Sequence, residues 1–354
     1  MTKSWRFYLF YYFYLYIILI FRTFAKYLRK MNALSHIQQT LSDEIKRLNE
    51  EIVTTLHSSN PLMNEVIDNY LRTKGKQIRP ILVILSAKTF GSVSADVISA
   101  AAAVELLHNA SLIHDDVVDE TKLRRNEPTI NGIWDNHIAV LVGDFFVSSS
   151  LQKALETNDL RIIDSIAELG RILSIGEIDQ IYTAQKHTLS EDAYFNIIYR
   201  KTASLFVACV KMGAYAVNAD ETQVSLISEF AKLLGLCFQI KDDIFDYFED
   251  KNIGKPTGND LREGKITLPL LHVLSDSNTP NHDAMIELSR KDMLSAEDIQ
   301  RLIEYAKSNG GIDYAYSTME KLKNEAIAIL DKLPQNESVD AFKSLFDFVI
   351  TRNK

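Results

Sequence analysis

Apolar side chains recur every three or four residues from Leu34 almost to the C-terminus, which is the periodicity of amphipathic helices. The alternation of apolar and polar residues that marks a strand never continues beyond a few positions. The helical pattern is interrupted near residues 60–61, 75, 91, 127–128, 158–159, 188–191, 218–221, 254–264, 276–282 and 309–311. No linker rich in Pro, Gly or Ser divides the chain, so we predict a single all-α domain of about ten to twelve helices.

Two of these helices have clear boundaries. The first should begin after Ser94, a favoured N-cap residue, and run from Ala95 to about Glu120. Its alanines at 100–103 have high helix propensity and present a slim face to neighbouring elements. The second should extend from Thr222 to about Phe248.

Composition narrows the range of functions. The 354 residues include only 13 Gly and 7 Pro, fewer than a β-sandwich or a disordered chain would need. A formal net charge of −8 argues against non-specific nucleic-acid binding, so no nucleic-acid partner is expected. Cys209 and Cys237 lack metal-ligand spacing and indicate a reducing compartment, so we expect a cytoplasmic protein.

The first thirty residues differ from the rest. Residues 7–21 carry no charge, and a helix of that length would span about 22 Å, less than the ~30 Å core of a bilayer. More Lys and Arg follow this run than precede it, so an inserted segment would leave the body cytoplasmic. Residues 1–30 are therefore either an anchor at a membrane surface or sequence upstream of a start at Met31. We expect the catalytic fold in residues 31–354.

Two aspartate triplets share one spacing and one apolar context. They are Asp115, Asp116 and Asp119 near the end of the first long helix, and Asp242, Asp243 and Asp246 near the end of the second. Residues i and i+4 share a helix face, so the outer aspartates of each triplet point together at the negative end of a helix dipole. A cation would relieve this repulsion. Oxygen-only ligands favour Mg²⁺, which uses one or two carboxylates together with substrate phosphates.

Basic residues stand where they could meet those phosphates. Lys76 and Arg79 lie at a glycine-led helix start, where amide dipoles favour an anion. Arg124 and Arg125 follow the first triplet, and arginine forks match phosphate oxygens. His108 lies seven residues before that triplet, on the same helix. The remaining candidates are Lys201, Thr202, Lys255 and Lys265.

Seven stretches of the sequence together carry a resemblance to a known family. The stretches are GKQIRP (75–80), ELLHNASLIHDDVVDETKLRR (105–125), GD (143–144), GEIDQ (176–180), KTASLF (201–206), FQIKDDIFDY (238–247) and GKPTGNDLREGKITLP (254–269). With them the sequence resembles the trans-isoprenyl diphosphate synthases of the polyprenyl synthetase family, most of all the medium- and long-chain members. Lys241 and Asp179 depart from the usual family pattern, and neither removes a ligand.

The resemblance implies a helical bundle of the isoprenoid synthase type around a deep central cavity, usually a homodimer. It implies that both triplets bind about two or three Mg²⁺ ions, with Asp116 supporting. The allylic diphosphate, farnesyl or geranyl, would be contacted by Arg124, Lys201, Gln239, Lys255 and Lys265, with Thr202 beside them. Isopentenyl diphosphate would be bound by Lys76, Arg79, His108 and Arg125.

Product length depends on the residues below the first triplet. Short-chain members of the family place a bulky aromatic side chain four or five residues before the first aspartate. Ser111 and Ala110 stand there, and both are too small to close a tunnel. Leu107 and Val104, with a facing helix around 166–173, are the expected floor. The resemblance thus implies a medium- or long-chain product, of the kind used for quinone side chains.

Three other functions share parts of the pattern. His114 and Asp115 resemble the motif of helical HD phosphohydrolases, which need further histidines as metal ligands. Class I terpene cyclases share the fold and the first motif, but usually replace the second triplet by Asn, Ser and Glu. A non-catalytic subunit of a heterodimeric synthase would lose motif residues, whereas this chain keeps both triplets.

Overall fold

A computed structural model of the chain describes residues 33–72, 75–124, 127–248 and 257–352. The N-terminal extension, residues 1–30, lies outside this part of the chain. The first helices are α1 (Ala33–Thr40), α2 (Ser42–Leu56), α3 (Pro61–Leu71), α4 (Ile78–Phe90), α5 (Ala95–Val118), α6 (Ile130–Ile133), α7 (Asn136–Glu156), α8 (Leu160–Gln185), α9 (Glu191–Ile198) and α10 (Ser204–Tyr215). They are followed by α11 (Glu221–Phe245), α12 (Asn259–Arg262), α13 (Leu268–Ser275), α14 (His282–Ser289), α15 (Ala296–Ser308), α16 (Gly311–Leu330) and α17 (Glu337–Thr351).

Two elements depart from regular α-helix. A π-helical turn, Tyr199–Ala203, joins α9 to α10. Strands β1 (Leu123–Arg124) and β2 (Glu127–Pro128) form a short antiparallel ribbon after α5. Apart from this ribbon all the described elements are helical, so the all-α prediction is confirmed. The described ranges contain seventeen α-helices, more than the predicted ten to twelve, because six of them are short elements of four to eight residues.

Helix α5 begins as its capping residue predicts, and α11 begins one residue before the predicted Thr222 and ends three residues before the predicted Phe248. The Ser94 side chain accepts a hydrogen bond from the Val97 amide, and α5 ends at Val118, two residues before the predicted end. Asp220 and Gln223 form a capping box at the start of α11. The alanines at 100–103 are fully buried, and α5 packs against α4, α7 and α10.

In the part of the chain that the structure describes, three helices, α5, α7 and α11, are long and apolar enough to span a membrane by length and composition alone. Their apolar surface has another explanation, because α5 and α11 lie in the centre of the bundle and are lined with core residues. The outer side of α7 differs. It exposes Leu141 and Leu155 by more than half of their surface.

Close helix packing depends on two glycines. A β-carbon at Gly213 of α10 would lie 2.2 Å from the Val83 carbonyl oxygen of α4, and one at Gly235 of α11 would lie 2.5 Å from the Ala203 α-carbon. Both neighbours are backbone atoms, which cannot move aside as a flexible side chain would. These contacts bring α10 close to α4, and α11 close to the end of the π-helical turn.

Gly213→Ala should therefore destabilise the protein by about 1–3 kcal/mol, since the added methyl group overpacks a helix crossing. Gly170→Ala is the matched control, because a β-carbon there would meet nothing within 4 Å. It should stabilise α8 by about 0.5–1 kcal/mol through the better helix propensity of alanine. Urea denaturation measures both changes, and equal stabilities of the two variants would contradict this packing.

Candidate active site

The first triplet divides its three carboxylates between two tasks. Asp116 is buried and turns toward β1, where its carboxylate accepts a hydrogen bond from Arg124 Nε at 3.0 Å and forms an ion pair with Nη2 at 2.8 Å. Asn131 Nδ2 donates to the Asp116 carbonyl at 2.9 Å. Asp116 thus anchors the segment that follows α5, and it holds Arg124 beside the triplet.

The other two carboxylates of the first triplet remain without a partner. Among the residues that the structure describes, neither Asp115 nor Asp119 has a side-chain hydrogen bond or an ion pair. Burial raises the pKa of Asp115 to about 6; Glu177 adds to the rise and Lys201 opposes it. A half-buried carboxylate without a partner is costly, so this pair is the best candidate on α5 for binding a cation.

Asp243 of the second triplet is held inside a buried chain of hydrogen bonds. Tyr194 donates to one carboxylate oxygen at 2.6 Å, and Gln239 Nε2 donates to the other at 2.8 Å. Thr202 in turn donates to Gln239 Oε1 at 2.6 Å. Burial and the nearby Asp260 raise the pKa of Asp243 to about 8. The chain links α9, the π-helical turn and α11.

Asp246 connects the second triplet to the loop that follows it. Its two carboxylate oxygens accept the backbone amides of Asn259 and Asp260, each at 3.0 Å. Asp246 therefore caps α12 from outside the helix. Burial raises the pKa of Asp260 to about 6, with Asp246 adding to the rise and Lys265 opposing it. This cap places Asp260 and Lys265 beside the end of α11.

Asp242 faces a different group of residues. Arg352 donates to its carboxylate at 2.7 Å and to the Phe238 carbonyl at 3.0 Å, with the guanidinium 4.0 Å from the centre of the Phe238 ring. Burial raises the pKa of Asp242, while the charges of Arg352, Lys76 and Arg79 oppose that rise. The last described residue thus reaches the second triplet.

Lys201 lies on the π-helical turn. Its ammonium group contacts two side chains of α8, Glu177 Oε2 at 2.8 Å and Gln180 Oε1 at 2.9 Å. A β-carbon at Gly176 would lie 3.1 Å from the Lys201 amide nitrogen, so this glycine allows α8 to approach the turn. A π-helical turn inside helical structure is frequent at functional sites.

Many of the residues that the sequence singled out line one of two cavities, whereas Asp115, Asp119, Thr202 and Asp246 line neither. The larger cavity, about 1130 Å³, is lined by Lys76, Arg79, His108, Asp116, Arg124 and Asp242. The smaller one, about 180 Å³, is lined by Lys201, Gln239, Asp243 and Lys265, together with Gln180, Tyr194 and Asp260.

Two lysines link the motifs electrostatically. The positive charge of Lys201 opposes the rise in pKa of Asp115 in the first triplet and of Asp260 after the second. Burial lowers the pKa of Lys265, but Glu263, Asp260 and Asp119 outweigh this effect and raise it overall. The carboxylates at the ends of α5 and after α11 therefore lie within range of the same two cationic side chains.

Four predicted residues for product length stand apart from these cavities. Ala110, Leu107 and Val104 are buried and Ser111 is partly buried. None of the four lines either of the two cavities given above. Helix α8, which contains the predicted facing residues 166–173, does contact α5. The tunnel along this face stays a prediction, and Arg125 and Lys255 lie outside the described residues.

The carboxylates at this site fit a Mg²⁺ ion that is bound partly by the protein and partly by the substrate. Over the described ranges, no three His, Cys, Asp or Glu side chains converge to hold a metal by themselves. Mg²⁺ does not need such a cage, because one or two carboxylates with water and phosphate oxygens complete its shell. Asp115 and Asp119 supply two carboxylates at the shared face.

Several contact residues, Tyr194 among them, had not been assigned roles from the sequence. Glu177, Gln180 and Asp260 do lie in stretches that carry the family resemblance, so the motifs gave a signal for their location and none for their contacts. Arg352 gave no signal, because it reaches Asp242 across 110 residues of sequence.

The raised pKa of Asp115 predicts a stability change with pH. The folded protein holds the Asp115 proton up to about pH 6 and the unfolded chain releases it near pH 4, so this residue lowers stability as pH rises between those values. Asp115→Asn should stabilise the metal-free protein at pH 7 by about 1 kcal/mol, after allowance for its partial exposure. Asp119 is exposed, so Asp119→Asn is the control and should change little. Urea titrations at pH 4.5 and 7 measure this, and no gain for Asp115→Asn at pH 7 would refute it.

Comparison with known proteins agrees with this site. The polyprenyl synthetase family model matches residues 60–306. The chain is 32% identical to octaprenyl diphosphate synthase of Haemophilus influenzae over 322 residues, which cover 91% of this chain and 98% of that protein.

Two solved structures share the fold. Polyprenyl synthase of Caulobacter crescentus, complexed with calcium and isoprenyl diphosphate, has a TM-score of 0.82 at 30% identity, covering 91% of this chain and 98% of that one. Geranylgeranyl pyrophosphate synthase of Bacteroides thetaiotaomicron has a TM-score of 0.78 at 37% identity, covering 91% and 100%. With two aspartate motifs, two sets of cationic residues and a family match over most of its length, the chain belongs to the polyprenyl synthetase family and is a prenyltransferase.

Proposed function

We propose that the protein condenses isopentenyl diphosphate with an allylic diphosphate, farnesyl or geranyl, to make a medium- or long-chain trans-polyprenyl diphosphate. The observation that carries this proposal is the presence of two separate cationic sets on either side of the aspartates. Lys76, Arg79 and His108 line the larger cavity, and Lys201 and Lys265 line the smaller one. A condensation of two diphosphates needs two such sites.

The smaller set suits the diphosphate that leaves. As the allylic carbon–oxygen bond breaks, negative charge grows on the departing diphosphate, and Lys201 and Lys265 are placed to stabilise it. Bound Mg²⁺ would add charge neutralisation between the carboxylates and the diphosphate. The allylic cation then accepts the double-bond electrons of isopentenyl diphosphate, which Lys76 and Arg79 hold in the larger cavity. One proton is lost to restore a double bond, and the departed diphosphate is its proposed acceptor.

We propose Asp115 and Asp119 as ligands of the first Mg²⁺ ion, because their carboxylates have no other partner in the described chain. Asp116 supports them by holding Arg124. Asp242, Asp243 and Asp246 remain the predicted second site for about two or three ions in total. Each of these three has a protein partner in the metal-free chain, and a metal there would have to exchange with that partner.

The proposed product length rests on the small side chains at Ala110 and Ser111 and on relatives that include an octaprenyl synthase. A growing chain would follow α5 away from Asp115 toward Leu107 and Val104. Such products serve as quinone side chains, so we propose that this enzyme acts in quinone biosynthesis.

A homodimer is proposed from the exposed apolar side of α7 and α8. Leu141 and Leu155 of α7 and Leu160 and Ile178 of α8 are each more than half exposed, and the two helices are in contact. Surfaces of this kind usually mark an interface. Sedimentation should give twice the chain mass of 40.2 kDa, and a monomer at micromolar concentration would exclude the dimer.

We also propose a cytoplasmic enzyme that releases its apolar product at a membrane surface. The uncharged run at residues 7–21 supports membrane association if those residues are translated. Fractionation of the native protein tests its membrane association. Mass spectrometry of its N-terminus tests whether residues 1–30 are translated. A mature protein that starts at Met31 would remove the anchor from this proposal.

Loss of a proposed metal ligand should remove turnover and leave the fold intact. Asp115→Ala or Asp242→Ala should lower the incorporation of isopentenyl diphosphate by about 10²–10³-fold, the usual cost of losing one electrostatic stabiliser. Asp96→Asn is the control, because this exposed carboxylate lies in the first turn of the same helix α5. Full turnover in either alanine variant, with the far-ultraviolet dichroism unchanged, would contradict the metal assignment.

Ala110→Tyr should shorten the product, because an aromatic ring would then stand where short-chain members carry one. Mass spectrometry of the product mixture measures the number of prenyl units added. Ala110→Ser is the control of similar size and should leave that number unchanged. An unaltered length in a folded, active Ala110→Tyr variant would show that the chain does not grow along this face of α5.

A further inference from the structure

In the metal-free chain Lys201 contacts two side chains of α8. Its ammonium group lies 2.8 Å from Glu177 Oε2 and 2.9 Å from Gln180 Oε1, both on α8. Lys201 also acts electrostatically on Asp115, which has no partner of its own among the described residues. Glu177 thus holds the ammonium group directly, while Asp115 lies within range of its charge.

The backbone brings Lys201 toward Glu177. The π-helical turn projects Lys201 at α8, and Gly176 lets the two backbones approach, since a β-carbon there would lie 2.8 Å from the Arg200 β-carbon. Lys201 is mostly buried, with 23% of its side chain exposed, so its ammonium group has few water partners. A cation in this position pairs with the nearest carboxylate that is available.

We propose that Glu177 is a positioning residue, which holds Lys201 on α8 so that the lysine does not neutralise Asp115 and occupy the metal-binding face of the first triplet. Gln180 provides the second contact, and it orients the ammonium group without adding charge. When a diphosphate arrives, Lys201 can rotate from Glu177 to the phosphate oxygens, while Asp115 is already free for the metal. This inference rests on the proposed metal and diphosphate site.

The same pair of elements offers a matched control. One residue before Lys201, Arg200 forms an ion pair with Asp179 of α8. This pair joins the same two segments, and its members are exposed to a similar degree as Glu177. Asp179 is not placed in either cavity. Asp179→Asn thus removes a comparable ion pair without releasing Lys201.

The test is Mn²⁺ binding to the full chain without any diphosphate, with free Mn²⁺ counted by electron paramagnetic resonance. Glu177→Gln should weaken Mn²⁺ binding about fivefold, the scale of one half-exposed ion pair, because Lys201 then turns to Asp115. Asp179→Asn should bind Mn²⁺ as the wild type does. In elongation assays Glu177→Gln should need about fivefold more Mg²⁺ for half-maximal rate, with the rate at saturating Mg²⁺ retained.

Two double variants separate positioning from a simple change in local charge. In Glu177→Gln/Gln180→Glu the carboxylate returns at the other contact of Lys201, and Mn²⁺ binding should recover. In a Lys201→Met background, Glu177→Gln should have no further effect on Mn²⁺ binding, because the residue acts through the lysine.

An unchanged Mn²⁺ affinity in Glu177→Gln would overturn the proposal. So would a fivefold loss that persists in the Lys201→Met background, which would mean that Glu177 acts on the metal directly. These outcomes differ from failure of the proposed function itself, in which the wild-type chain would neither bind Mn²⁺ at the first triplet nor elongate an allylic diphosphate.

Discussion

The concentration of negative charge at the ends of α5 and α11 is the constraint on which the site depends. Six carboxylates lie at helix C-termini, where the helix dipole adds further unfavourable potential. Four of them are stabilised within the protein, by an arginine, by a tyrosine with a glutamine, or by backbone amides. Asp115 and Asp119 are not. The structure thus leaves a carboxylate pair, one member partly buried and the other exposed, that is available to an additional cation.

The surrounding helices keep this pair available and supply the opposite charge. Asp246 caps α12 and thereby fixes the loop that carries Lys265, while the π-helical turn brings Lys201 to the same place. On the other side of the aspartates, Lys76 and Arg79 stand at the start of α4 and line the larger cavity. The architecture therefore presents two diphosphate-sized groups of cations to one anionic centre, as a condensing enzyme requires.

Much of this arrangement could be predicted from local sequence. Spacing placed Asp115 and Asp119 on one helix face, Ser94 marked the start of α5, and polar breaks marked the helix ends. Contacts over long separations gave no local pattern, and the bond between Arg352 and Asp242 is the clearest case. The π-helical turn was also missed, because its residues have ordinary helix propensity and nothing local marks its close packing against Gly176 and Gly235.

The most direct test is the mass of the product formed by the full chain from farnesyl diphosphate, isopentenyl diphosphate and Mg²⁺. Two cationic sets beside an unpaired carboxylate pair, with small residues below it, predict one dominant product longer than geranylgeranyl diphosphate and none when Mg²⁺ is chelated. A folded chain that binds Mg²⁺ and leaves farnesyl diphosphate unextended would contradict this account. A product that stops at geranylgeranyl diphosphate would retain the chemistry and refute the proposed length.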